Sequence, residues 1–101
     1  MDTITVIEKQ EYLLVIFNKL EDYEDIHKIG DLLESEFGMT ISKKIDGPDS
    51  RVWHINHKEE EFMLINNDPY GNFLKVKSPT GRKLITSLLP QIMIMIDNAS
   101  K

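Results

Sequence analysis

The stretch "EDYEDIHKIGDLLESEFG", Glu21 to Gly38, constrains the fold more than any other, because the spacing of apolar residues changes there. Upstream, "TITVIE" alternates apolar and polar, with Ile4 and Val6 on one face, as in a half-buried strand. "EYLLVIF" is apolar on both faces and rich in strand formers, as expected of an interior strand. The polar residues Lys9 to Glu11 between them read as a tight turn, giving a hairpin. From Tyr23 onward the period lengthens. Tyr23, Ile26, Ile29, Gly30, Leu33 and Phe37 fall on one stripe at about 100° per residue, which predicts an amphipathic helix. Asp22 is placed to cap its first turn, and Gly38 stands where a left-handed C-terminal residue is wanted.

After this helix the period of two returns. "MTISKKI" alternates, with Met39, Ile41 and Ile45 expected to point inward. "DGPDS" carries strong turn chemistry. "RVWHIN" and "EFMLIN" read as a hairpin around "HKEE", and "NNDPYGN" is a second clear turn leading into "FLKVK". "SPTG" opens a last helix, with Ser78 as cap and Pro79 at the first helical position. Pro90 interrupts that helix. Yet Leu84, Ile85, Leu88, Leu89, Ile92, Met95 and Ile96 share one face, and a proline on the opposite, solvated face is absorbed as a kink. The competing reading is a strand at "IMIMI". The expected order is β-β-α-β-β-β-β-α. That order predicts a single α+β domain of about six mainly antiparallel strands with two helices on one face, the simplest two-layer solution.

Composition limits the chemistry. The 101 residues include no cysteine, which excludes disulfides, thiolate metal sites and thiol nucleophiles. Hydrophobic content of 41% and charged content of 29% are those of a globular domain rather than a disordered chain. "MDTITVIEKQ" lacks a basic region followed by an apolar run, so a signal peptide is not expected and the cytoplasm is the expected compartment. The net charge of −5 argues against a general nucleic-acid binder.

"WHINHKEEEF" raises the question of a metal site. On a strand, His54 and His57, three apart, point to opposite faces and cannot converge on one ion. His27 belongs to the first helix. No metal and no cofactor is expected. The sequence holds no nucleophile elbow, phosphate-binding glycine loop or zincin motif. Its acid pairs, such as Asp22 with Asp25, have no apolar cleft to shift their pKa values. An enzyme is not expected.

The charge is unevenly distributed. Between residues 21 and 36 seven carboxylates stand against Lys28 alone, a net −6 that leaves +1 for the other 85 residues. The plain reading is a solvated helix face, with Asp22 and Glu24 near the positive helix end and Glu24 pairing with Lys28. The functional reading is a docking surface for a basic protein partner, built from Glu21, Glu24, Asp25, Asp31 and Glu34. The turn at Glu59, Glu60 and Glu61, together with Asp68, is a secondary element. Trp53 is in register with Ile55 and reads as core. Phe73, Lys75 and Lys77 are expected on the opposite face, with His54 and Lys44 nearby. That face could take single-stranded nucleic acid. A third possibility is a homo-oligomer formed through Met93 and Ile94, which lie off the core stripe of the last helix.

"GPDSRVWHINHKEEEFMLINNDPYGNFLKV", residues 47 to 76, resembles the central block of an uncharacterised family of short bacterial proteins. The length, acidity and element order also resemble contact-dependent growth inhibition immunity proteins, which bind and neutralise a toxic nuclease domain. The resemblance carries no diagnostic motif and transfers no site residue. It implies an inhibitor acting by occupying a basic active-site cleft.

Overall fold

A computed structural model describes residues 2–101, and among them the chain forms six strands and two helices in the expected order. The strands are β1 (Ile4–Glu8), β2 (Leu13–Phe17), β3 (Thr40–Asp46), β4 (Arg51–His57), β5 (Glu60–Asn67) and β6 (Gly71–Val76). The helices are α1 (Asp25–Phe37) and α2 (Pro79–Ala99). All strand pairs are antiparallel, in the order β1-β2-β6-β5-β4-β3. Both helices pack on one face of this sheet, where Val15, Phe17, Trp53, Ile55, Leu64 and Leu74 meet Ile26, Ile29, Leu33, Ile85, Ile92 and Ile96. The opposite face is left to the strands, with Leu14, Ile16 and Phe73 at its centre.

Local chemistry explains the boundaries. Gly38 adopts φ 68°, and the amides of Gly38 and Met39 return to the carbonyls of Glu34 and Leu33, closing α1. Ser78 caps α2 by accepting from the Gly81 amide at 2.9 Å, with Pro79 in the first turn. Pro90 lies inside α2 on its exposed side, so residues 92–96 are helical and the alternative strand is not formed. The β4–β5 hairpin turns through Lys58 and Glu59, both at positive φ (49° and 69°), the twist a two-residue turn needs. Gly71, at φ 73°, has the Glu21 backbone against it, and a Cβ there would stand 2.9 Å from the Glu21 carbonyl oxygen.

Three sequence expectations need correction. Tyr23 precedes α1 rather than joining its stripe; its hydroxyl donates to the Gly47 carbonyl at 2.8 Å. Asp22 does not cap the helix. Glu24 holds that position, and its side chain makes no bond to the helix's own amides, while the Asp25 carboxylate accepts from the Asp22 amide at 3.1 Å. In β3 the register shifts between Ile41 and Lys43, an irregularity that reverses the strand's faces. Ile45 therefore pairs with Val52 on the open face and is 48% exposed, and Lys44 turns to the helix face.

Candidate functional site

The acidic segment is fixed at one end of the sheet by polar residues on the inward phase of the strands. Asn72 is fully buried on β6, and its amide donates to the carbonyls of Leu20 (2.8 Å) and Asp22 (2.9 Å). Its own oxygen accepts from Asn66 of β5 at 2.9 Å. The loop that carries Glu21 is thereby tied to the centre of the sheet. Arg51, at the start of β4, anchors the other side. Its guanidinium stacks 3.8 Å above the Tyr23 ring, and pairs with Glu24 at 3.3 Å and Asp46 at 3.5 Å. One of its nitrogens donates to His27 Nε2 at 2.8 Å.

The core beside this anchor is specific. Trp53 is 1% exposed, and its indole N–H donates to Asp46 at 2.8 Å. Lys44 Nζ lies 4.3 Å from the ring centroid, and the His27 ring meets the indole edge-on at 5.2 Å. Gly30 lets α1 approach this ring, since a Cβ there would stand 2.9 Å from the indole. Trp53 is core, as its register predicts.

The nine acidic candidates do not form one surface. Glu21, Glu24, Asp25 and Asp68 gather at the end of the sheet where α1 begins, with the Gly71 turn packed against Glu21. Two of these have internal work. Glu24 pairs with Arg51 and approaches His27 at 3.6 Å, not Lys28, and Asp25 holds the Asp22 amide. Glu59, Glu60 and Glu61 lie at the opposite end. Glu60 accepts from the hydroxyls of Ser78 and Thr80, both at 2.7 Å, and these bonds hold its carboxyl below the ordinary glutamate range. Glu59 and Glu61 line a concavity of about 590 Å³ together with His54, Lys75 and Lys77, so cations neighbour them.

Among the described residues, Asp31 and Glu34, like Glu21 and Asp68, are left without an internal partner. The first two are exposed on α1, and with Glu36 they make no ion pair among those residues. Glu34 and Glu36 stand in the last turn of α1, which carries no basic residue. Carboxylates there oppose the negative end of the helix dipole, at a cost of about 0.3–1 kcal/mol each. Beside them, Glu36, Phe37, Gln91, Ile94 and Met95 border a shallow groove between the helices. Ile94 is 63% exposed, the most of any large apolar side chain among the described residues. Of the three carboxylates only Glu36 borders this groove; Glu34, two residues earlier on the helix, points to a different side. Glu36 joins the candidates on structural grounds, and its place in the last helical turn is legible in the sequence.

The open sheet face has a different character. Its register aligns Lys43, His54, Met63 and Lys75 in one row across four strands. Lys43, not Lys44, is the β3 cation on this face. Phe73 is 7% exposed and edged by Tyr70 at 5.6 Å, and the Tyr12 ring has Lys75 Nζ 4.7 Å away. A stacking platform needs an open ring face, and Phe73 offers none. His54 pairs with Met63 on this face, whereas His57 pairs with Glu60 on the other, so the two diverge as their spacing requires.

No helix among the described residues is long and apolar enough to cross a membrane. A scan against protein-family models found no match, and searches of the curated proteins and of the solved structures found none either.

Proposed function

We propose that the chain is a small acidic binding protein that occupies a basic cleft of a protein partner, acting in the cytoplasm as an immunity protein does on a toxin nuclease. One observation carries the reading: Asp31, Glu34 and Glu36 are exposed, unpaired among the described residues, and set where two of them work against their own helix. A chain selected only for stability would carry lysine in that turn. Charge retained against local stability is suited to a partner that supplies the missing cations. Nuclease clefts are positive because they hold phosphates, and an acidic rim competes for the same field. Ile94 supplies the apolar anchor with Glu36 beside it in the same groove, while Asp31 and Glu34 add to the negative field of the helix that speeds the encounter. Glu21 and Asp68 extend the negative field at the other end of α1.

The test begins with the neighbouring gene. The coding sequence immediately upstream is expected to encode a large secreted protein ending in a basic nuclease domain. That domain, purified, should degrade RNA or DNA and lose its activity with one equivalent of this chain. A neighbour without such a domain, or a nuclease untouched by stoichiometric chain, overturns the reading.

A further inference from the structure

The two edges of the sheet are built differently. The β3 edge carries a register irregularity at Ser42 and two exposed lysines, Lys43 and Lys44, devices that discourage another strand from pairing. The β1 edge, "ITVIE", has no lysine, no proline and no bulge. Among the described residues no strand pairs with its outer side.

Hydrogen bonding shows which groups that edge presents. The Asn18 amide donates to the Thr3 carbonyl at 3.0 Å, and the Lys9 amide to the Tyr12 carbonyl at 2.9 Å. Odd-numbered residues of this strand therefore bond to β2. In an antiparallel ladder the residues alternate, so Ile4, Val6 and Glu8 aim their N–H and C=O groups outward. Their side chains point to the helix face, where Val6 is 43% exposed. The same side of the molecule carries a second apolar group. Arg82 of α2 donates to the carbonyls of Lys9 and Gln10, and Asp97 bonds Thr3, so one side of α2 runs along β1. Met93 stands about one turn before Asp97 and about three turns after Arg82, on that side, and is 40% exposed.

We infer that β1 pairs antiparallel with β1 of a second copy about a two-fold axis at Val6, joining two sheets into one of twelve strands. The sequence selects both the partner and the register. Centred on Val6, the strand sets Val6 against Val6 of the second copy, Ile4 against its Glu8, and Asp2 against its Gln10. Centring on Thr5 would set Asp2 against Glu8, like charges directly opposite. Centring on Ile7 would set Val6 against Glu8 and leave its apolar surface unmatched. The Val6 register forms three hydrogen-bonded pairs, hence about six new backbone bonds, since each such pair exchanges two. It also brings the two Met93 side chains to flank the seam. The symmetric contact is self-limiting, because each copy has its other edge protected.

Sedimentation equilibrium tests this directly. Wild-type protein should pass from 11.7 kDa towards twice that mass as concentration rises. Val6→Lys, which places a charge on the two-fold axis, should remain at the monomer mass. Ile94→Glu, on the groove side of α2, should still dimerise. Amide exchange supplies an independent reading on the unmodified protein. The amides of Ile4, Val6 and Glu8 should slow with increasing concentration, while those of Thr5 and Ile7 are protected throughout. A constant monomer mass, a Val6→Lys dimer, or exchange at Val6 that ignores concentration would each overturn the inference. Should Val6→Lys fail to fold, the wild-type exchange pattern decides alone.

Discussion

Asn72→Ala probes the link between the sheet and the acidic loop. The Asn72 side chain is the donor to the Leu20 and Asp22 carbonyls and the acceptor for the Asn66 amide. Removing it strands two groups that water does not readily reach, since Leu20 is 4% exposed and Asn66 7%. Each buried group left unpaired costs about 1–3 kcal/mol, so the expected loss is about 2–6 kcal/mol. The Asp22 carbonyl sits on an exposed residue and is rehydrated at little cost. Against a typical stability of about 5–15 kcal/mol this is a large fraction. Urea denaturation should show a lower midpoint with an unchanged slope, because the surface exposed on unfolding is nearly the same. In a thermal melt even the lower bound corresponds to a fall of about 8–16 °C for a domain of this size. Combining Asn66→Ala with Asn72→Ala should cost less than the two singles together, since both break one bond of a shared network. A loss under about 1 kcal/mol, or strict additivity, would refute the claim that this network holds the loop.

Pro90→Ala should stabilise the protein by up to about 3 kcal/mol, because it restores a helical donor and removes the ring clash at an exposed site; a lower melting temperature would show that the kink is needed. Gly30→Ala combines a gain of about 1 kcal/mol in helix propensity with overpacking of about 1–3 kcal/mol against the Trp53 ring, so net destabilisation by chemical denaturation is expected, and a stabilised variant would mean that the indole yields. The carboxyls of Glu60 and Asp97 are depressed by hydrogen bonds from Ser78 and Thr80, and from Lys19 and Thr3, respectively. Groups depressed on folding contribute stability above their unfolded pKa and lose it as pH falls through the folded one, so melts should weaken at acid pH, and Glu60→Gln with Asp97→Asn should flatten that dependence. Added zinc should leave the melting temperature unchanged because His54 and His57 occupy opposite faces; a zinc-dependent rise abolished by His54→Ala would contradict this.

Element order was legible because each segment shows one clear period and strong boundary residues, as at Gly38 and the Ser78-Pro79 pair. The structure departs from the sequence pattern where position depends on contacts distant in sequence. Tyr23 matches the helical stripe in spacing, but the Arg51 guanidinium and the Gly47 carbonyl draw it out of the helix. A one-residue irregularity near Ser42 reversed Lys44 and Ile45, and no residue in "MTISKKI" announces it. The sequence also marks the buried polar positions. Arg51, Asn66 and Asn72 all lie in phase with inward apolar neighbours, Trp53, Leu64 and Leu74, which marks them as buried polar anchors. The acidic surface was legible only as composition. Which carboxylates serve the fold and which remain unpaired depends on Arg51, Ser78 and Thr80, all distant in sequence.

The most direct test of the proposed role replaces Asp31, Glu34 and Glu36 with lysine and measures stability and association with the upstream-encoded nuclease domain side by side. Placing lysine at positions 34 and 36 complements the helix dipole, so the variant should melt at or above the wild-type temperature. Its association rate, followed by surface plasmon resonance, should fall by about tenfold or more, and the wild-type rate should drop steeply with salt while the variant's does not. A more stable protein that binds more slowly is the predicted result. A variant that associates at the wild-type rate, with wild-type salt dependence, would show that these carboxylates only solvate the helix.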